Sequence, residues 1–286
     1  GFDVTLPYYL NLAPNYDAVL SDVWGVLHNG VAAYPEAVDA LRRFRQGGRR
    51  VVLITNAPRT APPIVALLDA MQVPRDAYDA VVSSGDVTRA AIAPYRGKVV
   101  HHIGPPEIDD SLYEGLGVIR GSAEDAAAVV VTDLDTDDDT PDMYEDRIKL
   151  WLSRKLPLIC ANPDRVVEHA GRIIYCGGAL ADLYEAHGGR IRMAGKPYRQ
   201  IYDEALRLAD AAAGRPIDRS RILAIGDSVR TDAIGAANAG LDLLFITGSI
   251  HAQELDAFGE PDPDAVRDPV APSGARSYEA VKVEFK

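Results

Sequence analysis

The chain has 286 residues, a length that accommodates one large or two medium domains, each with its own hydrophobic core. Hydrophobic residues make up 47% of it and charged residues 25%, and its formal net charge of −12 argues against a general binder of nucleic acid or anionic membranes, which requires a cationic face. Its apolar runs are far shorter than the roughly 20 residues of a membrane span, and no basic-then-apolar leader is present, so we expect a cytoplasmic protein.

Short β-branched runs alternate with helical stretches along nearly the whole chain. In chain order, the β-branched runs predict strands at residues 16–23, 51–55, 78–83, 98–103, 127–132, 157–161, 172–176, 221–225 and 242–246. The stretches between them predict helices at residues 34–46, 62–71, 86–92, 144–155, 199–213 and 231–239. Strands that are hydrophobic on both faces and alternate with helices form covered parallel sheets, so the pattern predicts an α/β protein. Residues 259–274 are rich in Pro and Asp, which predicts surface coil.

Two cysteines, Cys160 and Cys176, show neither C-x-x-C nor zinc-site spacing. Two are too few for a disulfide scaffold, and an intracellular protein keeps its thiols reduced. We therefore expect both to be buried free thiols.

Polar residues follow four of the predicted strands at their carboxyl ends. Asp22 and Asp227 end two of them, and Thr55-Asn56 and Ser83-Ser84 end two others. A basic element, Gly195-Lys196-Pro197, stands at the entry to a helix. Any one of these residues could be a helix cap. In open parallel sheets, however, ligands bind at the carboxyl ends of the strands, so together they predict one functional site.

These elements, in this order, resemble the four motifs of haloacid dehalogenase-type hydrolases. Asp-Val-Trp-Gly-Val-Leu at residues 22–27 resembles the first motif, and Leu-Ile-Thr-Asn at residues 53–56 the second. Gly-Lys-Pro at residues 195–197 resembles the third motif, and Gly-Asp-Ser-Val-Arg-Thr-Asp at residues 226–232 the fourth. The surrounding residues, including Asn-Pro-Asp at 162–164, are similar to the class IIA subfamily of nitrophenyl-phosphatase and sugar-phosphatase type. The resemblance extends over residues 16–250.

The resemblance implies a Rossmann-like parallel-sheet core with an inserted α/β cap domain. We expect the core to comprise residues 1–84 and 190–286 and the cap to comprise residues 85–189. More than 130 residues separate the second motif from the third, far more than a connection within one sheet needs. Capped relatives often pair through their caps, so we expect a homodimer formed in that way.

The resemblance also implies the roles of the motif residues. Asp22 is the expected nucleophile, which forms an aspartyl phosphate that water then hydrolyses. Thr55 and the amide of Asn56 are expected to donate hydrogen bonds to phosphate oxygens, while Lys196 screens Asp22 from the incoming phosphate. The expected cofactor is Mg²⁺, a cation that prefers oxygen ligands. The expected ligands are Asp22, the backbone carbonyl of Trp24, Asp227 and, directly or through water, Asp232.

The expected substrate is a small phosphorylated metabolite, and four residues are candidates for binding it: Asn162, Asp164, Arg59 and His28. Sugar phosphates, nucleotide monophosphates and pyridoxal phosphate are all compatible with the resemblance.

Trp24 departs from the family pattern. Phosphatases of the family usually have Asp two residues after the nucleophile, where it protonates the leaving oxygen, and an indole N–H cannot do so. Three interpretations follow. The protein is a phosphohydrolase whose leaving group needs little protonation or whose acid comes from elsewhere, His28 being the nearest candidate. Alternatively, it cleaves a bond other than a phosphate ester, or it binds a phosphorylated ligand with little turnover.

Overall fold

The computed structural model describes residues 15–106 and 110–247 and, for the backbone alone, residues 277–281. The chain divides into two compact units. The described residues of the first unit lie within Gly1–Thr55, Val65–Val82 and Lys196–Lys286, and those of the second lie within Asn56–Ile64 and Ser83–Gly195. This division differs from the expected domains mainly at residues 56–64, which group with the second unit. That the second unit is a cap stays a prediction.

Strands and helices alternate along the described residues. The strands are β1 (Ala18–Ser21), β2 (Arg50–Thr55), β3 (Ala80–Ser83), β4 (Val99–Ile103), β5 (Ile119–Arg120), β6 (Ala128–Val131), β7 (Leu158–Cys160), β8 (Val166–His169), β9 (Arg172–Tyr175), β10 (Ile191–Met193), β11 (Ile222–Gly226), β12 (Asp242–Thr247) and β13 (Ser277–Val281). The helices are α1 (Pro35–Gln46), α2 (Ala61–Ala70), α3 (Ser84–Ile92), α4 (Asp110–Tyr113), α5 (Glu145–Ser153), α6 (Gly177–Ala186), α7 (Arg199–Ala213) and α8 (Ile234–Ala239).

The first unit is built on a six-stranded sheet in the order β13-β12-β11-β1-β2-β3. The pairings of β11 with β1, β1 with β2, β11 with β12 and β12 with β13 are parallel. All residues of β1 and β11 are buried, as expected for central strands covered on both faces. Helices α1 and α7 are amphipathic, and each buries an apolar face that includes Leu41 and Phe44 in α1 and Ile201 and Tyr202 in α7.

The second unit contains a five-stranded parallel sheet in the order β10-β7-β6-β4-β5. One of its hydrophobic clusters surrounds Trp151 of α5, whose ring meets that of Tyr184 edge-on at a centroid distance of 5.8 Å. Strands β8 and β9 form a separate antiparallel hairpin.

The structure confirms the predicted α/β architecture and most of the predicted elements. The strand expected at residues 172–176 is present as β9, but it pairs antiparallel with β8, which the sequence pattern did not predict. Helix α6 was also missed, because two glycines at its start look like a helix breaker. They are needed for close packing, since a Cβ on Gly177 would lie 2.5 Å from the carbonyl oxygen of Thr132 and one on Gly178 would lie 2.1 Å from that of Pro163.

Cys160 and Cys176 are buried thiols that form no disulfide, as expected, and burial raises the pKa of the Cys176 thiol well above its ordinary value. The segment at residues 259–274, expected to be coil, lies outside the described residues. In the part of the chain that is described, none of the helices combines the length and the apolar character that crossing a membrane requires.

Candidate active site

The register of the first sheet brings the ends of β1 and β11 to the same edge. Ser21 of β1 is paired with Ile225 of β11 on one side and with Leu53 of β2 on the other. The backbone N–H of Asp22 then donates to the carbonyl oxygen of Ile225 at 2.8 Å. Asp22 and Asp227 therefore leave neighbouring strands at the carboxyl edge, although 205 positions separate them in the chain.

Three carboxylates meet at this edge. Asp22, Asp227 and Asp232 each offer an oxygen atom, and these atoms all lie within 4.8 Å of one another. The residues are only 8%, 4% and 4% exposed, respectively. Negative charges so close together and so far from water are costly unless cations accompany them.

Lys196 supplies one such cation. Its Nζ lies 3.0 Å from Oδ1 of Asp22 and 2.7 Å from Oδ1 of Asp232, and the residue is only 2% exposed. One ammonium against three carboxylates leaves two negative charges when all four groups are ionised. A divalent cation would neutralise that remainder, and the hard oxygen donors are those that Mg²⁺ prefers. The residues present therefore fit a magnesium ion.

Asp232 also shapes the loop after β11. Its Oδ2 accepts hydrogen bonds from the backbone N–H groups of Asp227 at 3.1 Å and Ser228 at 3.3 Å. Residues Val229–Ala233 form a π-helical turn before α8, a feature that is often found at functional sites. Gly226 allows this arrangement, because a Cβ there would lie 2.1 Å from Cγ of Asp232.

The loop after β1 approaches Asp227 closely. The backbone N–H of Val23 donates to Oδ1 of Asp22 at 2.8 Å, which fixes the carboxylate beside its own strand. Gly25 has a φ of +87°, and a Cβ at this position would lie 2.3 Å from Oδ2 of Asp227. Glycine is needed here for both reasons. The proposed role of the Trp24 carbonyl as a metal ligand stays a prediction.

Trp24 and His28 lie side by side in the same loop. Their ring centroids are 5.3 Å apart, and His28 is only 2% exposed. The backbone N–H of Gly30 donates to Nδ1 of His28 at 2.9 Å. A nitrogen that accepts this bond carries no proton, so the neutral ring has its proton on Nε2.

Several of the remaining predicted site residues come together within the second unit. Nδ2 of Asn56 donates to Oδ1 of Asp164 at 3.0 Å. Oδ1 of Asn162 accepts from the backbone N–H of Asp164 at 3.2 Å, and Nδ2 of Asn162 donates to Asp133 at 2.8 Å. The carbonyl oxygen of Arg59 accepts from the hydroxyl of Ser83. Thr55 is buried at the end of β2 in the first unit.

Tyr202 belongs to the surroundings of the carboxylate cluster, although it is absent from the residues predicted for the site. Burial raises the pKa of its hydroxyl well above the ordinary value. The negative charge of Asp232 adds to this effect, and the positive charge of Lys196 opposes it. In the sequence Tyr202 is one more apolar position of an amphipathic helix, so no motif singles it out.

Comparisons with known proteins bear on what such a site does. Residues 19–118 match the family model of haloacid dehalogenase-like hydrolases, and residues 193–272 match a model described as HAD-hydrolase-like. The crystal structure of a haloacid dehalogenase-like hydrolase from Brucella suis superimposes on this one with a TM-score of 0.83. The two sequences are 46% identical, and the match covers 85% of this chain and 93% of the B. suis chain.

Two characterised relatives are more distant. D-glycerol 3-phosphate phosphatase of Mycobacterium tuberculosis is 26% identical over 88% of this chain and 68% of its own length. Ribonucleotide monophosphatase NagD of Escherichia coli is 25% identical over 84% of this chain and 91% of its own length.

Proposed function

Because this chain belongs to the haloacid dehalogenase-like hydrolases, we propose that it is a magnesium-dependent phosphohydrolase that acts on a small phosphorylated metabolite. The observation that carries the proposal is the meeting of three buried carboxylates and one buried lysine at the carboxyl edge of the first sheet. The phosphatase activities named for the relatives from M. tuberculosis and E. coli support this choice of reaction.

Asp22 is the proposed nucleophile. Its Oδ1 receives hydrogen bonds from the N–H of Val23 and from Lys196, and these bonds hold the carboxylate in one orientation before any substrate arrives. An oxygen of Asp22 forms the bond to phosphorus while the bond to the leaving oxygen breaks. The resulting aspartyl phosphate is then hydrolysed by water.

Lys196 and the metal site together offset the charge of the phosphoryl group. Lys196 reduces the repulsion between Asp22 and an anionic phosphate, because it places a cation 3.0 Å from the attacking carboxylate. The proposed metal ligands are Asp22, Asp227, the carbonyl of Trp24 and, directly or through water, Asp232. When bound, Mg²⁺ supplies the positive charge that stabilises phosphate oxygens during transfer.

We propose that Thr55 and the amide of Asn56 donate hydrogen bonds to the phosphate. Within the second unit, Asn162 and Asp164 form a hydrogen-bonded loop that also holds the side chain of Asn56. This loop is the proposed source of contacts to the rest of the substrate, with Arg59 and His28 as further candidates.

The proposal is tested by measuring phosphate release from an activated aryl phosphate with Mg²⁺ and with a chelator. We expect release only with the metal, and we expect Asp22→Asn to abolish it. Asp203→Asn is the matched control, because this exposed aspartate of α7 pairs only with Arg199 four residues earlier among the described contacts. A wild-type protein that binds phosphate analogues but never releases phosphate would instead be a binding protein.

A further inference from the structure

A cavity of about 610 Å³ lies within the second unit. Its volume is in the range of pockets that hold small ligands, about 300–1,000 Å³. Residues that follow three neighbouring strands of the second sheet line it, namely Gly104 after β4, Gly121 after β5 and Asp135 after β6. The cavity therefore lies at the carboxyl edge of this sheet.

The chain leaves β4 and β6 in opposite directions. From β4 it runs through α4 to β5, and from β6 it runs through α5 to β7, on the other side of the sheet order. Helix α4 packs with Ala128 and Val130 of β6 in one hydrophobic cluster. Helix α5 packs with Val129 and Val131 in the other, so the two helices cover opposite faces. In open parallel sheets, ligands bind outside the carboxyl ends of the strands where the connections diverge in this way.

Arg120, the last residue of β5, contributes a guanidinium group to the cavity. Its Cζ lies 5.0 Å from the centroid of the Tyr113 ring, a cation–π contact that holds the group against α4. Nη2 donates to Oδ1 of Asp110 at 2.6 Å, and Nη1 donates to the carbonyl oxygen of Pro106 at 3.4 Å. A guanidinium has five N–H donors, so donors remain for a ligand after these contacts with described residues.

The acidic residues of the cavity already have cationic partners. Asp135 forms an ion pair with Arg147 at 2.8 Å, and its other oxygen accepts from the N–H of Gly104 at 3.1 Å. Asp110 is paired with Arg120, but the two side chains are 65% and 37% exposed, respectively. Exposed ion pairs of this kind contribute little to stability. An anion that binds Arg120 through two oxygens can therefore displace Asp110.

Two histidines form a further part of the cavity wall. His101 and His102 are successive residues of β4, so their side chains lie on opposite faces of the sheet. Nδ1 of His101 donates to the carbonyl oxygen of Gly121 at 2.9 Å. Nδ1 of His102 lies 2.6 Å from the hydroxyl oxygen of Tyr113. These bonds hold both rings in place, so each ring reports on what enters the cavity.

We propose that this cavity binds a small organic anion whose carboxylate or phosphate group accepts two parallel hydrogen bonds from Arg120. Planar bidentate recognition of an oxyanion is the strongest interaction that a guanidinium makes. Asp110 holds Arg120 in the absence of the ligand and releases it when the ligand binds. The inference goes beyond the proposed function, because none of the residues proposed for catalysis is among the described residues that line the cavity.

The experiment follows the ring signals of the six histidines by NMR while the full chain is titrated with an anion. Malonate and inorganic phosphate distinguish the two sources of the oxyanion, and malonamide is the neutral counterpart of malonate. His101→Gln and His102→Gln assign the two signals. We expect malonate, phosphate or both to shift the signals of His101 and His102, and malonamide to shift neither. The signal of His28 reports separately on binding at the candidate active site.

Four variants test the role of the guanidinium. We expect Arg120→Gln to weaken anion binding at least about tenfold, because it removes a charge-assisted bidentate contact. Arg120→Lys keeps the charge without the planar group, so its affinity should lie between those of the wild type and Arg120→Gln. Asp110→Asn removes the competing carboxylate and should tighten binding. Arg96→Gln is the matched control, because this exposed arginine of the same unit donates to the carbonyl oxygen of Gly115 and does not line the cavity.

The proposal is overturned if neither anion moves the signals of His101 and His102, or if malonamide moves them equally. Unchanged affinity in both Arg120 variants would also overturn it. A response of His28 alone would mean that the anion binds at the candidate active site instead. Protein that shows the expected shifts but releases no phosphate from an aryl phosphate would contradict the proposed function and leave this inference in place.

Discussion

At the scale of single residues, Asp232 shows how one carboxylate can serve several purposes. One of its oxygens accepts from Lys196 and the other from two backbone N–H groups of the loop that carries Asp227. Its side chain therefore fixes both a cation and the proposed metal ligand Asp227. A residue with this many partners is sensitive to small displacements, because the loss of any one bond moves the others.

Gly226→Ala tests this sensitivity. The new methyl group would lie 2.1 Å from Cγ of Asp232, so the carboxylate has to move. Overpacking of this kind costs about 1–3 kcal/mol of stability, and we expect kcat/KM to fall by at least about tenfold, since about 1.4 kcal/mol corresponds to a factor of ten. Urea unfolding and aryl phosphate hydrolysis measure the two effects. In the control Gly47→Ala, the new methyl group crowds the end of the flexible Arg49 side chain and lies at an ordinary contact distance of 3.4 Å from the carbonyl oxygen of Phe44. A comparable loss in this control would contradict the argument.

Lys196→Met tests the charge balance of the cluster. It removes the ammonium but retains most of the aliphatic volume, leaving Asp22 and Asp232 buried without this partner. Breaking a buried ion pair from one side costs about 3–5 kcal/mol. We expect urea unfolding in the presence of chelator to show that the free energy of unfolding falls by this amount, and we expect Mg²⁺ to restore part of it. An unchanged unfolding midpoint in chelator would show that the carboxylates do not need the lysine.

At the scale of elements, the central strands could be predicted from sequence, whereas β8 and β10 could not. Strands β1, β2 and β11 are continuous apolar runs, because both faces of a central parallel strand are covered. Strand β8 is only partly buried and pairs with the mostly exposed β9 in a two-stranded hairpin, so its residues show little hydrophobic pattern to detect. The three-residue strand β10 is too short to show any period.

The beginning of β1 is tied to that of β11 by an ion pair. Asp17 accepts from Nε of Arg221 at 2.9 Å and from Nη2 at 3.0 Å. The hydrogen bonds from Arg221 hold the pKa of Asp17 below its ordinary value. Because the pKa is lower in the folded state, the ion pair stabilises the fold. This stabilisation is present above the unfolded pKa of about 3.9 and is lost as the pH falls through the folded value.

We therefore expect acid to reduce the stability of the wild type more steeply below about pH 4 than that of Asp17→Asn. At neutral pH the variant should be the less stable of the two. Urea unfolding at a series of pH values measures both differences. The idea fails if the two proteins lose stability in parallel as the pH is lowered.

At the scale of the whole molecule, the fold class and the family could be predicted, and both are confirmed. The meeting of Asp22 and Asp227 could be predicted because parallel strands end at one edge, and the approach of Lys196 to Asp22 was implied by the family resemblance. The partners of these residues could not be predicted in this way. The two backbone bonds of Asp232, the bond of Gly30 to His28 and the position of Tyr202 depend on loop conformations and helix packing that no short pattern specifies.

Metal binding should stabilise the folded protein as a whole. A ligand that binds only the folded state adds about 2.7 kcal/mol at 100 times its dissociation constant. We expect the unfolding midpoint to rise with Mg²⁺ concentration and this rise to disappear in Asp227→Asn. Ca²⁺ and K⁺ serve as comparison ions, since K⁺ lacks the charge to neutralise the cluster. A midpoint that responds equally to K⁺ would indicate a general effect of salt.

After a short passage through the second unit at Asn56–Ile64, the chain returns to the first unit at Val65, leaves it again after Val82 and comes back at Lys196. The long excursion from residue 83 to residue 195 thus contributes none of the four charged side chains that meet at the edge of the first sheet. Insertions, deletions or wholesale exchange of this excursion leave the residues of the proposed chemistry unaltered. Because the proposed substrate-binding loop lies in this segment, changes to its sequence can alter the substrate, while the charged residues that carry out the proposed reaction stay the same.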